Sequence, residues 1–188
     1  FARFGYEVTL YNTRQETSLH AMSLATEALD LMVETRLVTR KQAEAAYKRL
    51  HPTTDFEAAV NGADFVHESV LDRLNIKMEV FARLDKLCPP TTTLATNTSA
   101  LLVSDIAAAT QHPERVIAAH YYQPPHFLPI VEVMPGRETS PQVVDKTAGF
   151  LRSIHKKVVV IPVETPGYIG NRLQGALSME VKAIIDEG

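Results

Sequence analysis

Arg115-Val116-Ile117-Ala118-Ala119-His120 decides how the rest of the chain is read. Four apolar residues run unbroken into an imidazole, and Tyr121-Tyr122-Gln123-Pro124-Pro125 follows at once. A short apolar run bounded by prolines reads as a buried strand with a polar carboxyl end. Upstream, Thr92-Thr93-Leu94-Ala95-Thr96 and Ala63-Asp64-Phe65-Val66-His67 have the same character, and the helical stretches Ile76 to Leu87 and Leu101 to Ala109 separate the three. Glu7-Val8-Thr9-Leu10-Tyr11 is a further strand after Gly5, and the residues before it read as the tail of a helix. A helical pattern runs from about Thr17 to Val38, breaks at Thr39 and resumes from Lys41 to Leu50, predicting a helical hairpin. Alternation of this kind calls for parallel strands joined by right-handed helical crossovers, a doubly wound α/β arrangement.

Downstream, Ile130-Val131-Glu132-Val133-Met134 and Lys157-Val158-Val159-Val160-Ile161 add two strands. The loop before Ile130 is too short for a crossover helix, so this strand is expected antiparallel to the one ending at His120. Asn171 to Glu187 closes the chain with helical periodicity on Leu173, Leu177, Val181 and Ile184.

The chain has 188 residues, 45% hydrophobic and 22% charged, with mean hydropathy −0.06, which places it among ordinary globular proteins. That length accommodates one full domain and the start of another. It opens on Phe1 and stops just after a helix with no following partner, so further residues are expected at both ends. A formal net charge of −3 with no long basic run argues against nucleic acid as a partner. No apolar run approaches the roughly 18 residues of a membrane span. Cys88 is the single cysteine, which excludes an internal disulfide and points to a reducing, cytoplasmic setting.

Ligands of doubly wound sheets sit beyond the carboxyl ends of the strands. Those ends carry Asn12, Asp72, Asn97-Thr98-Ser99 and His120. Glu132 follows His120 by twelve residues, on a strand that can fold back beside it. A carboxylate beside an imidazole fixes its tautomer and stabilises the imidazolium, which is half of a general-base device; a structural histidine with a solvated glutamate fits the same spacing. Ser99 reads either as a helix N-cap or as a functional hydroxyl, and it lacks the flanking glycines of a nucleophile elbow. In Thr165-Pro166-Gly167-Tyr168-Ile169-Gly170-Asn171-Arg172, turn residues open the last helix and place Asn171 in its first turns. The seven histidines show no His-Glu-x-x-His spacing, so no metal site is expected, and His67 and His126 read as packing or surface residues. Arg36, Arg40, Lys41, Lys48 and Arg49 read as a solvated face that could also meet a phosphorylated ligand.

Together these segments resemble the 3-hydroxyacyl-CoA dehydrogenase family over nearly the whole chain. The resemblance is carried by Gly5 to Tyr11, Asn97-Thr98-Ser99-Ala100-Leu101, Arg115 to His120, Val131-Glu132-Val133, Thr139-Ser140 and Thr165 to Leu173, in that order and spacing. It implies a Rossmann-like, mostly parallel sheet over residues 1–164, lacking its first strand and glycine-rich loop at the N-terminus. Residues 165–188 would be the first helix of an all-α C-terminal domain. It also implies NAD as cofactor, a small-molecule substrate and a homodimer at full length. By resemblance His120 is the general base and Glu132 orients it, while Ser99 and Asn171 hold substrate oxygens. Asp72 and Lys77 would lie near the nicotinamide ribose, and Asn97 with Gln123 and Asn12 would complete the cofactor contacts.

Two positions depart from the family pattern. Asn12 stands where an acid usually meets the adenosine ribose, with Arg14 two residues on, which admits NADP beside NAD. Gln123 replaces the asparagine that commonly follows the histidine by three residues. The implied reaction is hydride transfer from the 3-hydroxyl carbon of a 3-hydroxyacyl-CoA. The loop Pro124-Pro125-His126-Phe127-Leu128-Pro129 looks more like the gulonate and carnitine dehydrogenase branch, and a non-catalytic relative of the lens-crystallin kind is a third reading.

Overall fold

A computed structural model describes all 188 residues, Phe1–Gly188, and the chain falls into two compact units. The first holds Phe1–Ala63, Leu87–Pro89 and Pro124–Leu128; the second holds Asp64–Lys86, Pro90–Gln123 and Pro129–Gly188. No helix is long and apolar enough to cross a membrane.

In the first unit a 3-10 turn at Ala2–Phe4 ends on Gly5, whose φ of 96° suits a residue without a Cβ. Strand β1 (Val8–Tyr11) follows, then helices α1 (Gln15–Glu34) and α2 (Arg40–Tyr47), which form the expected hairpin. Thr39 and Gln42 close α2 with a reciprocal capping box. The second arm of this hairpin is shorter than the sequence suggested. It stops at Tyr47, and Leu50–Thr53 is a strand, β2, paired parallel to β1 with Val8 opposite Leu50 and Tyr11 opposite Thr53. Pro52 explains the change, because a proline is costly inside a helix but is accommodated in a strand at the edge of a sheet. The short helix α3 (Phe56–Val60), also not anticipated, starts where the Asp55 carboxylate accepts the N–H groups of Glu57 and Ala58.

The second unit contains β3 (Phe65–Glu68), α4 (Leu74–Leu87), β4 (Thr93–Thr96), α5 (Val103–Ala107), β5 (Val116–Tyr121), β6 (Ile130–Pro135), α6 (Pro141–Ser153), β7 (Lys157–Val160) and α7 (Gly170–Glu187). Its strands lie in the order β3-β4-β5-β6-β7. All neighbours are parallel except β5 and β6, whose antiparallel pairing matches the short loop between them. The parallel-dominated α/β architecture expected from the alternation is therefore present. Hydrogen bonding arranges it as a two-stranded and a five-stranded sheet rather than one continuous sheet. Every residue of β4 and Val116 to His120 of β5 are buried, as strands covered on both faces must be. Helix α6 escaped the sequence reading; Ser140 caps it by accepting the Val143 N–H, and Pro141 occupies its first turn.

The start of β5 is locked by a buried ion pair, Arg115 Nη2 to Asp85 Oδ1 at 2.8 Å, while Asp85 also accepts the Gln111 N–H at 2.7 Å. Register on the central strands is thereby fixed at one end by charge and along the rest by apolar packing. Helix α7 presents Leu173, Leu177, Val181 and Ile184 exposed on the periodic stripe the sequence shows.

Candidate active site

The sheet register brings the first pair together. In the antiparallel ladder His120 is the direct partner of Glu132, so both side chains leave the same face of the sheet. His120 Nδ1 lies 2.9 Å from Glu132 Oε2, with the imidazole 8% and the glutamate 1% exposed. An ionised carboxylate only accepts hydrogen bonds, so Nδ1 carries the proton and the lone pair of a neutral ring sits on Nε2.

A buried carboxylate needs more than one donor. The other oxygen, Oε1, accepts the backbone N–H groups of Ile169 and Gly170 at 2.9 and 3.0 Å. These open α7, so Glu132 satisfies that helix's orphan donors and places a negative charge at its positive end. The Tyr122 ring packs 5.3 Å from that of His120, and burial first, then the charge of Glu132, raise its phenol's pKa.

Tyr168 packs its ring 5.1 Å from that of His120 and is 1% exposed. Its φ of 55° lies in the left-handed region, uncommon for a residue with a Cβ and indicative of local strain. Burial, then the charges of Asp72, Glu132 and Glu164, push its phenol far above the ordinary range, so it stays neutral.

A second group of residues is linked to the first through Asn171, whose Nδ2 donates to the Ser99 carbonyl at 2.8 Å. Ser99 in turn donates both its N–H and its hydroxyl to Asp72 Oδ2 at 3.3 Å, and the Thr98 hydroxyl donates to Asp72 Oδ1 at 2.6 Å. Lys77 Nζ lies 3.7 Å from that Asp72 oxygen, and it is held more tightly by both oxygens of Glu68, at 2.8 and 2.9 Å. The Thr96 hydroxyl, at 2.7 Å, and the Val70 N–H also donate to Glu68. Asn97 accepts the Tyr121 N–H on Oδ1 at 2.9 Å. The helix-cap reading of Ser99 is corrected: α5 begins after Leu102, and the Ser99 hydroxyl is turned to Asp72 instead.

His120, Glu132, Ser99, Asn171, Asp72, Lys77 and Asn97 thus lie within the second unit and are linked largely by hydrogen bonds. Asn12 belongs to the first unit, where its N–H donates to the Thr53 carbonyl after β1. Gln123 is exposed in the loop after β5, and no hydrogen bond ties it to the cluster. A groove of about 400 Å³ lined by Ile161, Thr165, Tyr168, Ile169, Arg172 and Leu173 lies at the start of α7 and contains neither His120 nor Glu132.

Glu68, Tyr122 and the two backbone donors at Ile169 and Gly170 were not singled out from the sequence. A buried lysine requires a counter-charge, and Glu68 at the end of β3 was the available signal. Backbone donors carry no residue-type signal.

The profile of the 3-hydroxyacyl-CoA dehydrogenase NAD-binding domain matches residues 1–165. The chain belongs to the 3-hydroxyacyl-CoA dehydrogenase family. Within it, the chain is 33% identical over 188 residues to L-carnitine dehydrogenase of Streptomyces griseus, covering all of this chain and 55% of that protein. It is 34% identical over 186 residues to 3-hydroxyadipyl-CoA dehydrogenase of Escherichia coli, covering 99% and 39% respectively. The crystal structure of 3-hydroxybutyryl-CoA dehydrogenase from Escherichia coli K12 superposes with a TM-score of 0.93 at 34% identity, covering 99% of this chain and 39% of that one. The chain thus spans about half or less of the length of these family members, and the family's cofactor is NAD.

Proposed function

We propose that the intact protein is an NAD-dependent dehydrogenase that oxidises the 3-hydroxyl of a 3-hydroxyacyl-CoA, with His120 as general base. The observation that carries this reading is the His120–Glu132 pair, in which Glu132 accepts the hydrogen bond of Nδ1–H and leaves Nε2 free to accept a proton from an alcohol. An imidazolium formed there is stabilised by the neighbouring carboxylate, whose other oxygen is held in place by two backbone donors.

The side chains around the pair suit the rest of the task. Ser99 keeps a hydroxyl lone pair and Asn171 keeps its second amide N–H and Oδ1, enough to hold the oxygens of a small substrate. Asp72 offers carboxylate acceptors to ribose hydroxyls and is partly open to solvent, while Asn97 offers amide donors. Lys77, clamped by Glu68, supplies a fixed positive charge behind Asp72. This donor set fits a nicotinamide ribose. Bound NAD supplies the acceptor for the hydride that leaves the carbinol carbon. In this reading residues 1–164 form the dinucleotide-binding domain, and residues 165–188 begin a helical domain that completes the substrate pocket and makes the dimer contact. Asn12 would meet the adenosine ribose and Gln123 the cofactor edge.

A free 3-hydroxy acid is the second reading of the substrate, favoured by the L-carnitine dehydrogenase relative and by the Pro124–Pro129 loop. The intact protein, assayed by NADH formation with 3-hydroxybutyryl-CoA, carnitine and gulonate, is expected to turn over the CoA ester fastest. Faster turnover of carnitine or gulonate selects the second reading, and no turnover of any secondary alcohol with NAD or NADP rejects both.

A further inference from the structure

The turn that enters α7 is fastened to β6 and to the loop after it at three levels. Ile169 and Gly170 donate their N–H groups to Glu132, and Thr165 donates its N–H to Met134 Sδ at 3.2 Å. Glu132 and Met134 are two apart in one strand and so share a face. Past the end of β6, the Glu164 carboxylate takes both donors of Ser104: the N–H on Oε1 at 2.7 Å and the hydroxyl on Oε2 at 2.6 Å. Ser104 is itself seated on the loop between β6 and α6. Its hydroxyl oxygen accepts the Arg137 N–H at 2.8 Å, and a Cβ on Gly136 would lie only 3.1 Å from the Ser104 nitrogen and 3.2 Å from its Oγ.

These bonds close a ring through the site. Asn171 donates to the Ser99 carbonyl at one end and Glu164 accepts from Ser104 at the other, so residues 99–104 and 164–171 are joined twice. We propose that Glu164 is a positioning residue for the substrate side of the site: by gripping Ser104 it holds the turn from Thr165 to Gly170 along β6, and so fixes where Asn171 and the donors to Glu132 stand. The proposal deepens the dehydrogenase reading above and rests on it for its catalytic consequence.

The turn needs a hold at its upstream end. Gly167, with φ 73°, and Tyr168, with φ 55°, are both left-handed, and such a conformation at a residue with a Cβ persists only where its surroundings over-determine it. Downstream, the Gly170 backbone lies so close under Tyr122 that a Cβ would collide with the phenol hydroxyl, and Glu132 holds the two N–H groups. Upstream, the Met134 sulfur is a weak acceptor, which leaves the paired bonds to the Glu164 carboxylate as the strong ones. Without them the turn relaxes toward an ordinary φ at Tyr168, and the Asn171 amide loses its fixed distance from Ser99. Misplacement of a substrate-holding group on that scale is enough to cost rate. Asp72 and Lys77 are held separately, by Thr98 and by Glu68, so the cofactor side is spared.

Glu164→Ala in the intact protein separates positioning from plain stability. Hydrogen exchange followed by mass spectrometry should show residues 165–171 exchanging about tenfold faster than in the wild type, while the Gln111 N–H, held by Asp85, is unchanged. In steady state kcat/KM for the alcohol should fall about tenfold, mainly through KM, with NADH affinity within about twofold of the wild type. Asn171→Ala should cost about tenfold in kcat/KM in the wild type and less than about threefold in the Glu164→Ala background, because Asn171 is already out of place there. An equal cost in both backgrounds, unchanged exchange at 165–171, or faster exchange throughout the chain overturns the proposal. Should Glu164→Ala not fold, Ser104→Ala removes the hydroxyl donor alone and is read in the same way. If exchange behaves as stated while the wild-type protein oxidises no alcohol, the clamp stands and the dehydrogenase reading fails; an active wild type with unchanged exchange does the reverse.

Discussion

His120 and Glu132 face each other directly across the β5–β6 ladder, Nδ1 to Oε2 at 2.9 Å. A rigid two-strand register holds the imidazole, so its free nitrogen does not depend on a loop for its position. Glu132→Gln keeps the shape and removes the charge. Loss of that charge should lower kcat by about 10–100-fold and move the acid limb of the pH profile to lower pH, since the imidazolium loses its stabilising partner. Rate measurements across pH check both.

Lys77 and Glu68 form a buried ion pair, each almost fully removed from solvent. Lys77→Met leaves the buried Glu68 short of its counter-charge, which should cost about 3–5 kcal/mol of stability by denaturant unfolding. Replacing both, as Lys77→Met with Glu68→Leu, should recover much of that loss; a double variant no more stable than the single one contradicts this account.

His67 carries a pH dependence with a definite sign. Burial, aided by the Lys77 charge, pushes its imidazole from 6.5 down to about 4, and its Nδ1 is sealed without a hydrogen-bond partner. The folded state therefore resists a proton that the unfolded chain accepts, and stability falls as pH drops from about 6.5 to about 4, levelling off below. At about 1.4 kcal/mol per pH unit the gap is worth at most about 3 kcal/mol. Thermal melts should show His67→Gln losing less stability than the wild type over that window.

Asn12 follows β1 with its side chain uncharged, and Arg14 is two residues on. Asn12→Asp should lower the use of NADP relative to NAD by about tenfold, because a carboxylate there repels a 2′-phosphate. An unchanged ratio of kcat/KM for the two cofactors removes Asn12 from the adenosine site.

The strands that position these residues were legible because their patterns are strong. Val116 to Ala119 is an apolar run, Ile130 to Met134 is apolar apart from Glu132, and the eight-residue span from Tyr122 to Pro129 forces the two strands antiparallel. Leu50–Thr53 was hidden because it is short, polar and contains Pro52; its strand character comes from pairing with Val8–Tyr11, not from its own composition. The site divided the same way. His120 and Glu132 stood out by residue type and spacing, whereas Glu68 became visible once Lys77 proved buried, and the donors at Ile169 and Gly170 are backbone groups that any residue but proline supplies. The contact of Tyr122 with Gly170 joins residues 48 positions apart, a separation no local pattern encodes.

The most direct test of the account is His120→Ala in the intact protein, read by steady-state NADH formation and by NADH binding on the same sample. General-base action predicts kcat lower by about 10²–10⁴-fold with NADH affinity nearly unchanged. Retention of wild-type kcat, or an equal loss of turnover and cofactor affinity, would contradict it.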